Sequence, residues 1–134
     1  MTPHVHHVRI YYEDTDLSGV VYHANYLKYF ERAREHLIGP DELVRLLEAE
    51  GIAFVVYRCT LTYREGARLG DLLEIRTTVR QASEYRAVFD QQVWRPDGPR
   101  ALVEGEVELV CVDRRQQLVA LPARVREGIA HWGG

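Results

Sequence analysis

The chain has 134 residues, of which 46% are apolar and 28% charged, with 10 glycines and 5 prolines. This is the balance of one globular domain that buries a core without metal or disulfide staples, and it excludes a disordered or collagen-like chain. A formal net charge of −3 with no basic stripe excludes a general nucleic-acid binder.

Val5 to Tyr12 alternate loosely and predict a first strand, followed by a polar loop from Glu13 to Gly19. From about His23 to Ile38 the period becomes helical, with Tyr26, Leu27, Phe30, Ala33 and Leu37 on one face. Gly39-Pro40 interrupts this helix, and Asp41 to Glu48 resume a shorter one that Gly51 stops. From Ile52 to about Val119 the period is two. Ala53, Val55, Tyr57, Cys59, Leu61 and Tyr63 share one face of a long strand. Alternating sets at Leu73 to Val79, Tyr85 to Val93 and Ala101 to Cys111 predict three more strands, with turn residues between them. Leu121-Pro122 opens a short last helix with Val125 and Ile129 facing inward. The class is α+β: a meander-like antiparallel sheet curled around one long helix. Free sheet edges favour pairing with another copy, so a homo-oligomer is expected.

Cys59 and Cys111 fall inside apolar strand runs without a CxxC or zinc spacing, and are expected to be buried free thiols of a reducing compartment. No signal-peptide pattern or membrane-length apolar run is present, which predicts a cytoplasmic protein. His4, His6, His7, His36 and His131 read as surface residues, and no metal is expected.

The chemistry concentrates in residues 10–34. Asp14 and Asp16 stand in a loop just ahead of a helix start near His23. The first N–H groups of a helix lack internal partners and favour negative charge, so such a start can hold a developing oxyanion. A nearby carboxylate could attack a carbonyl bound there or activate water; it could equally just turn the loop or cap the helix. Ser18 and Ser83 are the only serines, and neither has the Gly-x-Ser-x-Gly setting of a serine hydrolase.

The run Tyr12-Glu13-Asp14-Thr15-Asp16, Gly19-Val20-Val21-Tyr22-His23-Ala24-Asn25-Tyr26 and Phe30-Glu31-Arg32-Ala33-Arg34 resembles the 4-hydroxybenzoyl-CoA thioesterase family of hotdog proteins. Within it, the run is most similar to the branch of short-chain acyl-CoA thioesterases associated with the Tol–Pal system. Tyr63-Arg64-Glu65-Gly66-Ala67-Arg68-Leu69-Gly70-Asp71 resembles a second family segment, with Gly66 in place of its proline, which predicts a looser loop. The resemblance implies a hotdog domain over residues 1–134, in which a five-stranded antiparallel sheet wraps the central helix. It implies hydrolysis of a short-chain or aromatic acyl-CoA without metal or redox cofactor, by a dimer or dimer of dimers. It makes Asp16 the catalytic nucleophile or general base and His23 the donor of the carbonyl-polarising N–H, with its imidazole orienting Asp16 or water. Tyr22, Asn25, Tyr26, Arg64 and Arg68 become candidate substrate contacts, the arginines toward CoA phosphates; Tyr63 and Asp71 read as strand packing and a turn. The competing readings are a hotdog dehydratase or hydratase and a non-catalytic acyl-thioester binding module.

Overall fold

The computed structural model describes residues 2–133. Strands β1 (His4–Arg9), β2 (Ala53–Tyr63), β3 (Leu72–Gln81), β4 (Arg86–Trp94), β5 (Val103–Val112) and the short β6 (Leu118–Val119) form one antiparallel sheet. The long helix α1 (Asn25–Ile38) lies against it, and α2 (Pro40–Arg45) with a π-helical turn at Leu46–Glu50 leads into β2. Helix α3 (Ala123–Trp132) follows β6 and buries Val125 as expected. This is the α+β hotdog arrangement, a sheet wrapped around a helix, with β6 as a sixth strand.

The strand order is β1-β3-β4-β5-β2, with β6 on β5. β3, β4 and β5 form the expected meander, but β2 pairs with β5 at the far edge and does not touch β3. The segment between β1 and β2 carries the chain across the concave face, so the strand it delivers lands on the opposite edge. The first strand ends at Arg9, earlier than its alternation suggests, because Tyr12–Asp14 coil into a 3₁₀ turn.

Inside β2 the alternation misleads. Val56 pairs with Leu109 and Arg58 with Glu108, which leaves Tyr57 as the extra residue of a bulge. One inserted residue reverses the phase of a strand. Phe54 and Val56 therefore share the α1 side with their partners Cys111 and Leu109, and beyond the bulge Cys59, Leu61 and Tyr63 do so. Ala53, Val55 and Tyr57 fall outside the inward set, and Tyr57 is 61% exposed.

Helix α1 buries Tyr26, Tyr29, Phe30, Ala33, Arg34 and Ile38. The stripe is rotated from the expected one: Tyr29 and Arg34 are inside and Leu27 lies open, because β2 is an edge strand and leaves that flank of the helix uncovered. Phe30 presses on Gly105 of β5, where an added Cβ would come within 2.6 Å of the ring. Cys111 is buried, and its thiol is pushed up to about 12 by desolvation. Cys59 is exposed rather than buried, again because it stands on the edge strand. Two histidines also depart from the surface reading. His4 packs edge-on against Trp132 at 5.1 Å, and His6 stacks on His36 at 4.5 Å, both partly buried. Among the described residues no helix is long and apolar enough to cross a membrane.

Candidate active site

The loop ahead of α1 is built around Asp14. Its carboxylate accepts the Tyr29 hydroxyl and the Tyr11 N–H, each at 2.8 Å. Its carbonyl accepts the Tyr22 N–H at 3.0 Å and the Asn25 side-chain amide at 2.9 Å. Asp14 and Asn25 are thus committed to fastening the loop onto the helix. Asp16 is placed differently. It is exposed, its Oδ1 accepts the Ser18 N–H at 2.8 Å and the Ser18 hydroxyl at 2.6 Å, and its Oδ2 has no hydrogen bond among the described residues. The Ser18 hydroxyl, then its N–H, hold the Asp16 carboxyl below its ordinary 3.8, and the charge of nearby His23 acts in the same direction. The group is ionised at neutral pH. Gly19, at φ +82°, closes this turn: its N–H bonds the Asp16 carbonyl at 3.0 Å, and the Asp16 N–H bonds the Val20 carbonyl at 2.8 Å. A side chain would strain that conformation.

The start of α1 is wound tightly. The Asn25 N–H bonds the Tyr22 carbonyl at 2.9 Å and the Leu27 N–H bonds the Ala24 carbonyl at 3.2 Å, both three residues back. Leu27 therefore leaves the His23 carbonyl free, and that carbonyl accepts the Tyr63 hydroxyl at 3.1 Å from the end of β2. The His23 N–H has no acceptor among the described residues. A free N–H at the positive end of a helix is a ready donor to a developing oxyanion.

Asp16 and His23 line one cleft of about 290 Å³, together with Val20, Val21, Tyr26, Tyr63, Arg64, Glu65 and Gly66. Its far wall is Arg64, Glu65 and Gly66, and the loop they open, running on to Asp71, is not the looser one that Gly66 predicts. The Val21 N–H bonds the Ala67 carbonyl at 2.9 Å, and the Ala67 N–H bonds the buried Tyr26 hydroxyl at 3.1 Å. Arg95 bridges Glu65 at 2.6 Å and Asp71 at 3.0 Å, and Arg100 reaches Glu65 at 2.9 Å. Gly66 itself is close-packed, since a Cβ there would lie 3.0 Å from Val20 Cγ1.

The loop, the helix and both walls fall within residues 10–133, which match a family model described as the thioesterase-like superfamily. The chain belongs to the thioesterase-like superfamily. Its relatives include the acyl-CoA thioester hydrolase YbgC of Escherichia coli, 44% identical over 107 residues and 79% of each chain. The acyl-CoA thioesterase YbgC of Haemophilus influenzae is 39% identical over 127 residues and 92% of each chain. Among solved structures, the 1,4-dihydroxy-2-naphthoyl-CoA thioesterase Slr0204 of Synechocystis matches with a TM-score of 0.87 over 94% of each chain. At 22% identity that is a likeness of fold.

Of the residues singled out in the sequence, this thioesterase-like fold gathers Asp16, His23, Tyr26 and Arg64 at the cleft. Tyr22 is exposed beside it, with its ring tilted against His23 at 4.6 Å, and Asn25 is spent on Asp14. Arg68 is exposed and stands outside the lining, while Arg64 is ion-paired with Glu104 at 3.0 Å. Asp71 does turn the chain, accepting the Arg68 N–H at 2.8 Å. Tyr63 does more than pack: it lines the cleft and holds the His23 carbonyl. Nothing in its spacing signals that bond, which joins positions 40 residues apart. The Arg95 clamp on Glu65 spans 30 residues and is equally silent in the sequence.

Proposed function

We propose that this acyl-CoA thioesterase hydrolyses a short-chain or aromatic acyl-CoA to the free acid and CoA at the Asp16–His23 cleft. One observation carries the reading: the cleft holds an ionised carboxylate with an unspent oxygen and a helix-start N–H without an acceptor. The thioester carbonyl oxygen rests on the His23 N–H, whose pull grows as the oxygen becomes an oxyanion. Asp16 Oδ2 then attacks the carbonyl carbon, giving a mixed anhydride that water hydrolyses, or it takes a proton from a water that attacks instead. In either route the C–S bond breaks and its electron pair leaves with CoA as thiolate. Thiolate is a good leaving group, so the chemistry asks for no strong general acid and no metal or redox cofactor. The His23 imidazole orients Asp16 or the water. Tyr26 and Arg64 contact the substrate from the cleft wall, and the exposed guanidinium groups of Arg64 and Arg68 suit the CoA phosphates.

The enzyme acts as a dimer or dimer of dimers. Among the described residues β2 is an edge strand of 11 residues with β5 as its one neighbour, and Val55, Val56 and Tyr57 on it are exposed, as is Leu27 on α1. Such an edge is the kind of surface a second copy covers.

The test is release of free thiol from a panel of acyl-CoAs by the purified protein and its Asp16→Asn variant. We expect turnover by the parent and a loss of about a hundredfold or more in the variant. Full turnover by Asp16→Asn would remove the carboxylate from the mechanism. Failure of every acyl-CoA and acyl-carrier thioester would favour the dehydratase or binding-module reading.

A further inference from the structure

Arg34 is the one charged side chain buried among the described residues, 7% exposed, and it has no carboxylate partner. Burial is what sets it apart: Arg64, Arg76, Arg80, Arg86 and Arg95 each have an ion pair and are far more exposed. The single hydrogen bond of Arg34 runs from Nη1 to the Gln91 Oε1 at 3.1 Å. Gln91 is itself completely buried and locked, donating to the Phe30 carbonyl at 3.0 Å and to Thr77 Oγ1 at 3.1 Å. A fixed, fully satisfied amide therefore holds one end of the guanidinium, and Nε and Nη2 have no bond among the described residues. Burying a cation without a counter-charge is costly, and removing its partner from such a site is strongly destabilising.

Arg34 lines a cavity of about 360 Å³ between α1 and the β2 edge, with Leu27, Val56, Cys59 and Val107 as walls. Lys28 and Glu31 also line it, both exposed, so its lining carries a net positive charge. Leu27, which lines this cavity, stands one helical turn beyond His23, which lines the cleft, so the two sit in succession along one helix without sharing a lining residue. Arg34 is eleven residues past His23, about 16 Å along the axis, and its side chain leans back toward the helix start. A group bonded to the guanidinium would lie roughly 10 Å from a carbonyl held on the His23 N–H.

We propose that this cavity receives the acyl group, and that Arg34 selects acyl chains ending in a carboxylate, which Nε and Nη2 bind in bidentate fashion. The inference rests on the thioesterase reading of the Asp16–His23 cleft and names its substrate class: medium-chain ω-carboxyacyl thioesters. Apolar walls with a buried cation among them match an apolar chain with an anionic end. Glu31 and Glu35 both act on Arg34, but neither is within ion-pair distance and both are exposed, so solvent screens their opposition to a bound anion.

The experiment compares octanoyl-CoA with octanedioyl-CoA, an acyl pair of equal length, on the full-length protein and on Arg34→Met and Arg34→Lys. We expect the parent to prefer the diacid thioester by roughly tenfold to a hundredfold in kcat/KM. The preference should collapse in Arg34→Met and shrink in Arg34→Lys, which keeps the charge but loses the fork. No preference in the parent, or an undiminished one in Arg34→Met, overturns the proposal. So does Arg34→Met dissociating the oligomer with the preference intact, an outcome that gives the arginine to a second copy's carboxylate. Thermal shift of the parent by free octanedioate against octanoate needs neither a variant nor turnover. Stabilisation by the diacid alone, absent in Arg34→Met, keeps the arginine site even if no thioester is cleaved and the thioesterase reading fails.

Discussion

Tyr63→Phe removes one oxygen and leaves the ring in place. That oxygen is the hydroxyl that donates to the His23 carbonyl at 3.1 Å, across from β2 to the start of α1. The carbonyl needs it because the tight first turn sends the Leu27 N–H to Ala24 instead. Tyr63 is 48% exposed, so water can reach the abandoned carbonyl, and the stability cost is that of one neutral hydrogen bond, about 0.5–1.5 kcal/mol. At this chain length that lowers Tm by roughly 2–6 °C. The effect on turnover follows a different route. Complete loss of an oxyanion donor costs about 3–4 kcal/mol in the barrier. Tyr63→Phe leaves the His23 N–H in the chain and removes only the strut that fixes the neighbouring peptide, so a third to a half of that cost is expected. This corresponds to a fall in kcat of about 5–30-fold.

The assay is steady-state hydrolysis of the best acyl-CoA from the panel by Tyr63→Phe and the parent, with melting curves on the same preparations. A positioning role predicts that kcat falls while KM stays within about twofold, since the donor matters more to the transition state than to bound substrate. A kcat within about twofold of the parent would refute the argument that this hydroxyl holds the donor in place. A rise in KM with kcat unchanged would instead make Tyr63 a uniform substrate contact.

Gly105→Ala should destabilise by about 1–3 kcal/mol, because its Cβ would meet the fully buried Phe30 ring at 2.6 Å; denaturant unfolding measures this, and an unchanged midpoint would show that α1 can shift off β5. Arg95→Met should cost only about 1 kcal/mol of stability, since its ion pairs to Glu65 and Asp71 are one-third exposed. It should lower kcat/KM by more than that loss explains, because Glu65 and Gly66 form the cleft wall. Mild acid should weaken the fold through two partly buried histidines. Burial first, and then the charge of His36, hold His4 and His6 below their ordinary 6.5; His7 and Arg32 also face His6. The folded state thus binds fewer protons than the unfolded state, so this stability is complete above 6.5 and declines as pH falls below it. Melting curves from about pH 7.5 to pH 5 should show the decline, flattened in His6→Gln; equal slopes would free His6 of the effect.

The sequence exposes what is periodic and hides what is inserted or distant. The long helix, the β3-β4-β5 meander and the final helix all follow from spacing, because a buried face repeats at the period of its element. β2 shows the limit. Its residues alternate without interruption on paper, yet Tyr57 is squeezed out as a bulge, and one such residue reverses every side chain before it relative to those after it. The exposure of Cys59 and Leu27 has one origin, the placement of β2 at the sheet edge, and strand order is a property of the whole sheet that no local pattern encodes.

The two aspartates of the loop make the same point for the chemistry. By type and position, Asp14 and Asp16 are equivalent candidates, since each is a carboxylate shortly before a helix start. What separates them is where their oxygens go. Both carboxylate oxygens of Asp14 are taken by partners within the fold, the Tyr29 hydroxyl and the Tyr11 N–H. Asp16 gives one oxygen to Ser18, a neighbour two residues away, and keeps the other free at the cleft. A carboxylate oriented by a local bond and ionised by it is prepared to act on a bound carbonyl, whereas one tied to α1 cannot move without loosening the helix start. Asp14→Asn should therefore lower Tm, because an amide nitrogen at either position would face the Tyr11 N–H or cost the Tyr29 hydroxyl its acceptor. Asp16→Asn should leave Tm nearly unchanged while abolishing turnover. The reverse pattern, with the stability loss at Asp16 and the lost turnover at Asp14, would exchange the two roles.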